Sequence, residues 1–160
     1  MTREEYKTRL INMNLGNCSK NLQTAQPSKY PQGYFKQKKC KMCGEAFTPK
    51  APSEHTCSEY CRRYSHVEAY YKRCYGITIE QYLDIAESQN FVCAICKQEN
   101  FPMGMTHSGL LVVDHDHSSG KVRGLLCHNC NRALGLLQDS IPTLSAAVSY
   151  LEGATTNRKV

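Results

Sequence analysis

The apolar residues of this chain change their period along its length, and the changes mark out the elements of a small α+β protein. Residues 2–13 begin with Thr2-Arg3-Glu4-Glu5, a Thr-x-x-Glu pattern in which hydroxyl and carboxylate satisfy the first backbone N–H groups of a helix. The helix that follows is mostly polar. Residues 14–35 are rich in Asn, Gln, Ser, Pro and Gly, and read as a linker or arm. From about Ser58 to Tyr75 a helical pattern offers Tyr64, Val67, Tyr70 and Tyr71 for packing, and Gly76 ends it. Thr78, with Gln81 three residues on, opens a further helix whose Ile79, Tyr82, Leu83 and Ala86 share one face and read as core. Leu110 to Val113 is apolar and β-branched, Ser118 to Lys121 is a turn, and Val122 to Leu126 returns as a second strand. A helix over Asn131–Gln138 closes the series. The segments divide as 1–35 (helix and arm), 36–76, 77–153 and a tail, 154–160.

Composition narrows this picture. The chain has 160 residues and is 41% hydrophobic, with no Trp and only four Phe, a modest supply for a core. Small cores need staples, and ten Cys are present. The N-terminal sequence is polar and charged, unlike a signal peptide, and no apolar run approaches the roughly 20 residues of a membrane span. The expectation is a cytoplasmic protein with no membrane partner, in a compartment where paired cysteines bind metal more often than they form disulfides.

The cysteine spacings point to zinc. Cys40 and Cys43 form a CxxC pair, and Cys57 and Cys61 a CxxxC pair thirteen residues further on. Cys93 and Cys96 form a second CxxC, and Cys127 and Cys130 a third after thirty residues. Each set of four thiolates suits one closed, tetrahedral structural zinc, so two Zn²⁺ are expected. Cys18 and Cys74 are left over and read as buried or inert thiols. His55 and His128 stand beside ligand pairs that are already complete; His107 and Met103 to Met105 read as surface loop.

Zinc also changes the charge. Eight thiolates and two Zn²⁺ bring the formal +6 down to about +2, so net charge alone says little about partners. Clustering says more. Lys36, Lys38, Lys39 and Lys41 form one basic group, Arg62, Arg63, Lys72 and Arg73 another, and Lys121, Arg123 and Arg132 a third around the last two cysteines. Three such groups beside metal motifs suit a phosphate backbone. Lys38, Lys39, Arg62, Arg63, Lys121, Arg123 and Arg132 are the candidate DNA contacts.

The stretch Val112–Gly135, VVDHDHSSGKVRGLLCHNCNRALG, carries the chemistry. Asp114 and His115 fall at the end of the first strand and Asn131 at the start of the following helix, and a zinc at Cys127 and Cys130 would fix the distance between them. A carboxylate and an amide oxygen are hard ligands suited to Mg²⁺. A neutral imidazole can take a proton from water near pH 7. Together they suit phosphodiester hydrolysis. A second metal cluster, or a merely polar turn, is the competing reading of Asp-His-Asp-His.

This stretch resembles the core of the phage recombination endonuclease VII family, among the ββα-metal (HNH or His-Me finger) nucleases. The likeness extends from about Tyr75 to Gly153, through YGITIEQYLDIAESQNFVCAIC and ALGLLQDSIPTLSAAVSYLE. It implies an α+β fold: a small zinc-stapled ββα-metal nuclease domain with flanking helices. It also implies Asp114 and Asn131 as ligands of one catalytic Mg²⁺ or Mn²⁺, His115 as general base, His117 near the scissile phosphate, and Cys93, Cys96, Cys127 and Cys130 on zinc. The setting it implies is the cytoplasm of a bacterial host. Two departures stand out. The residues after Asn131 are Arg132, Ala133 and Leu134, so the extra carboxylate that some members carry there is missing. The long C-terminal region with which the junction-resolving enzyme builds a dimer does not follow Tyr150-Leu151-Glu152 here, which counts against junction resolution; monomer and homodimer both stay open. The segment CKMCGEAFTPKAPSEHTCSEYCRR is similar to the treble-clef zinc fingers attached to many such nucleases. The expected function is a divalent-metal-dependent DNA endonuclease of phage or homing type. The alternatives are a branched-DNA (Holliday junction) resolvase and a non-catalytic, zinc-dependent DNA-binding adaptor.

Overall fold

The structure is a computed structural model that describes residues 1–12, 29–31, 33–98 and 109–156, with side chains through residue 154. Cys18, His107, Met103 to Met105, most of the arm and the end of the tail lie outside the described residues. The element order is α1 (Arg3–Ile11), β1 (Lys38–Lys39), β2 (Ala46–Phe47), α2 (Glu59–Tyr75), α3 (Ile79–Ser88), β3 (Val112–His115), β4 (Val122–Leu126), α4 (His128–Leu136) and α5 (Ile141–Thr156). Among these residues no helix is long and apolar enough to cross a membrane.

Local chemistry sets the helix ends. Thr2 and Thr78 each accept a hydrogen bond from the third helical N–H, and Glu5 and Gln81 return the bond to the cap backbone. Ser58 caps α2 by accepting from Cys61 N. At the other end of α2, Gly76 takes φ 69°, the left-handed conformation that lets its N–H close on Lys72 O without a Cβ penalty.

One core joins α1 to α2, α3 and the β3–β4 hairpin. Tyr6 and Leu10 of α1, Val67 and Tyr71 of α2, and Ile79, Tyr82, Leu83 and Ala86 of α3 are buried together with Leu110, Leu111, Val113, Leu125 and Leu126. The core therefore runs across the boundary drawn after residue 76. The helix at the N-terminus, read from sequence as polar, inserts Tyr6, Leu10 and Ile11. Arg3 ties it to α3 through Glu80, Asp84 and Glu87. Two phenols meet the chain at the approach to β3: Tyr82 donates to Leu111 O at 2.7 Å, and Leu111 N donates to Tyr6 Oη at 3.0 Å.

β3 and β4 form an antiparallel pair with Val112 opposite Leu126, Val113 opposite Leu125 and Asp114 opposite Gly124. The register then shifts, so that His115 faces Val122 and Arg123 is the extra, bulged residue. Gln89, just past α3, braces β4. Its amide oxygen accepts from Leu125 N and its amide nitrogen donates to Leu125 O. Gly124 permits this, since a Cβ there would lie 3.1 Å from Gln89 Oε1. α5 is a flanking helix whose bounds the sequence pattern does not give, and its Ile141, Val148, Tyr150 and Leu151 are exposed.

Candidate active site

Both cysteine sets close. In each, all four sulfurs lie within 4.8 Å of one another. Individual separations are 3.4 Å for Cys43–Cys57, 3.7 Å for Cys57–Cys61 and 3.8 Å for Cys96–Cys127. A tetrahedral zinc with bonds of about 2.3 Å spaces its sulfurs by about 3.8 Å, so the two groups fit it. Hydrogen bonding prepares them. The backbone N–H of Cys43, with those of Cys57 and Met42, draws the Cys40 thiol down to about 6. Burial pushes the Cys93 thiol up, but the N–H groups of Cys127, Cys96 and Ile95 outweigh it and bring it to about 7. Burial and its neighbouring thiols hold Cys130 well above the usual range, so a cation that takes all four sulfurs displaces protons in doing so. Cys74, outside both groups, is exposed rather than buried.

The second knuckle fixes α4 against the strands. Cys127 is the N-cap, its sulfur accepting from Cys130 N at 3.2 Å, and Asn131 N bonds Cys127 O at 3.0 Å. The thiol thus performs the capping that a Ser or Asp would, and α4 begins at His128, three residues before the expected start at Asn131. Asn131 sits on its first turn. Asp114, at the end of β3, lines the same pocket as Asn131, with His117, His128, Arg132, Leu136 and Asp139 around them. A carboxylate and an amide oxygen in one pocket form a donor set that suits a hard divalent cation.

Asp114 is 8% exposed and is not left unpaired. Arg123 Nε donates to Asp114 Oδ2 at 2.7 Å and Arg123 Nη2 to Asp114 Oδ1 at 2.9 Å. The same Nη2 lies 3.2 Å from Asp139 Oδ1. Hydrogen bonding to Asp114 raises the Arg123 pKa further, so the guanidinium is permanently charged.

Of the four residues of Asp-His-Asp-His, Asp114 and His117 line the pocket, while His115 and Asp116 are not among its lining. His115 packs against the Tyr75 ring at 5.7 Å and the His117 ring at 4.9 Å, and is not among the residues lining the Asp114–Asn131 pocket. His117 lines that pocket, with Nε2 3.9 Å from Asp139 Oδ2. Asp116 builds the turn. Its Oδ1 accepts from Ser118 N, Ser119 N and Ser119 Oγ, and the bonds from Ser119, with that from Ser118, hold its carboxyl below the usual range.

The basic candidates divide in the same way. Arg132 lines the pocket, Lys121 is exposed on the turn, and Lys38 stands 5.8 Å over the Phe47 ring. Lys39 is exposed on β1. The charge of Lys41, with some desolvation and the charge of Lys38, holds the exposed His55 below its ordinary value. Arg62 and Arg63 both pair with Glu59, whose carboxyl they bring down to about 2. These are exposed pairs, which cost little to exchange for phosphate. Asp139 was not foreseen. It lies in the turn after α4, with Gln138 and Asp139 both at positive φ (55° and 52°), and nothing in the sequence pattern around it sets it apart.

The family model for recombination endonuclease VII matches residues 68–153, and the chain belongs to that family of endonucleases. It is 37% identical over 127 residues to the Gene 59 protein of Mycobacterium phage D29, with 72% of this chain and 74% of that protein covered. The Gene 59 protein of Mycobacterium phage L5 is 35% identical over the same length. Among solved structures, the ββα-Me type II restriction endonuclease Hpy99I aligns with a TM-score of 0.35 at 22% identity, over 75% of this chain and 58% of that one.

Proposed function

We propose that this nuclease is a divalent-metal-dependent DNA endonuclease that hydrolyses phosphodiester bonds, with Asp114 and Asn131 as metal ligands and His115 as general base. The observation that carries the reading is the convergence of Asp114 from β3 and Asn131 from α4 on one pocket, held by the Cys93–Cys96–Cys127–Cys130 knuckle. Mg²⁺ or Mn²⁺, when bound by those two oxygens, supplies charge neutralisation at the phosphate and the leaving oxygen. His115 leaves the strand end on a different side from Asp114 and takes the proton of the attacking water. His117 and Arg132, at the pocket wall, hold the scissile phosphate. Lys121 and the lysines of β1 extend the track along the backbone, and the site of action is the host cytoplasm.

Nicking of a supercoiled plasmid tests this. His115→Ala should slow cleavage about 10²–10⁴-fold, with partial recovery at higher pH as hydroxide replaces the base. Asp114→Ala and Asn131→Ala should recover with added Mg²⁺ instead. Recovery of the His115 variant by metal and of the Asp114 variant by pH would reverse the assignment. No cleavage by the wild-type chain under any divalent metal would favour the adaptor. A strong preference for a four-way junction over a linear duplex of the same sequence would favour the resolvase.

A further inference from the structure

Arg123 holds both oxygens of Asp114, and this sets up a competition at the proposed metal ligand. A guanidinium forked on a carboxylate uses both oxygens in one plane. A divalent cation arriving at Asp114 must share an oxygen with it and meets its like charge. Asp139 is the one other carboxylate on that guanidinium among the described residues. One of its oxygens lies 3.2 Å from the same Nη2 that reaches Asp114, and the other faces His117 at 3.9 Å. Its side chain is 23% exposed, more open than the 11% of Asp114, and both residues line the same pocket. Two consecutive non-glycine residues at positive φ put it there, held by Asp139 N on Leu134 O and Ser140 N on Leu137 O. Such backbone is uncommon and needs a surrounding structure that enforces it.

We propose that Asp139 is a positioning residue that shares Arg123 with Asp114 and so sets how readily Asp114 takes a divalent cation. With Asp139 present, the guanidinium has a second anion to lean on when Asp114 turns to metal. Without it, Arg123 is held by Asp114 alone. The inference rests on the reading of Asp114 as a metal ligand, and its test separates the two.

Mn²⁺ binding to the zinc-loaded full chain, without DNA, is read by the electron paramagnetic resonance of free Mn²⁺. Asp139→Asn should weaken binding about tenfold, and Arg123→Gln should strengthen it several-fold by removing the competitor. In the Arg123→Gln background, Asp139→Asn should lose most of its effect. Arg123→Lys, which keeps the charge but cannot bridge two carboxylates in a fork, should also shrink it, and serves if the Gln variant does not fold with full zinc content. A tenfold loss that persists when Arg123 is replaced would overturn the proposal, because Asp139 would then act on the metal directly. Unchanged binding in Asp139→Asn would overturn it too. If Asp114→Ala binds Mn²⁺ as tightly as wild type, the metal-ligand reading itself fails. Loss in Asp114→Ala with no effect of Asp139→Asn leaves that reading standing and removes only the role of Asp139.

Discussion

Tyr82 is fully buried and spends its hydroxyl on a backbone carbonyl, Leu111 O, while Tyr6, 3.2 Å away from it, receives Leu111 N. Replacing Tyr82 by Phe leaves that carbonyl without its donor, at an expected cost of about 1–3 kcal/mol in urea unfolding. The same burial dictates a pH limit. Desolvation pushes the phenols of Tyr82, Tyr71 and Tyr6 upward, so the folded chain keeps protons that the unfolded chain releases near pH 10. The stability they contribute is complete below about pH 10 and falls as pH rises above it. Thermal midpoints between pH 8 and 11 should be flat at first and then drop, and the drop should be shallower in Tyr82→Phe. Helical spacing alone identified Tyr82 with Ile79, Leu83 and Ala86, all at 0% exposure. It could not identify the partners of Arg123. Strand alternation is interrupted at the bulge, and Arg123, a candidate phosphate contact, bonds Asp114 there. Asp139 is twenty-five residues from Asp114 in sequence, and only the turn after α4 brings it back.

Elements were legible where a cap and a period coincide. α2 begins and ends, and α3 begins, within a residue of the sequence signals because Ser58, Gly76 and Thr78 act locally. β4 matches residue for residue. β3 lies two residues later than expected, since its pairing reaches His115. The early start of α4 was hidden because a cysteine does the capping. α1 was visible as a helix but not as a core element: Tyr6, Leu10 and Ile11 are three apolar residues among charges, too few to show a packed face. Their burial makes a prediction. Leu10→Ala should cost about 2–5 kcal/mol in global unfolding, like any deep truncation in a core. An arm that merely precedes the fold would show almost none of this, and urea denaturation of the variant decides between them.

At the scale of the whole molecule the two cysteine groups play unequal parts. Cys93 and Cys127 belong to the main buried cluster, whereas Cys40 and Cys61, the buried thiols of the first group, lie outside it. Elemental analysis should find two zinc ions per chain. Cys43→Ser should lose one of them and leave the main unfolding transition in place. Cys127→Ser should lose the other and abolish that transition, because structural zinc contributes on the order of 10 kcal/mol of apparent binding to small folds. Equal thermal behaviour of the two variants would contradict the division. The proposed DNA contacts are spread in the same way, from Lys38 and Lys39 on β1 to Lys121 and Arg132 at the pocket. Duplex affinity should fall steeply with salt, and the double change of Lys38 and Lys39 to Glu should flatten the slope by about 2 in log–log form. An unaltered slope would confine DNA to the pocket side.

The bracing of Leu125 by Gln89 has a further consequence for a sheet of only two strands. Such a sheet has two edges and no interior, and unpaired edge groups are templates for strand addition by other chains. Here one side-chain amide supplies both bonds that a neighbouring strand would make to Leu125, and on the far side two phenols do the same for Leu111. Three side chains, with Ala94 N also on Leu125 O, occupy the outward backbone groups of one residue on each edge. The hairpin that carries Asp114 is therefore closed to strand addition at these two residues, one on each edge.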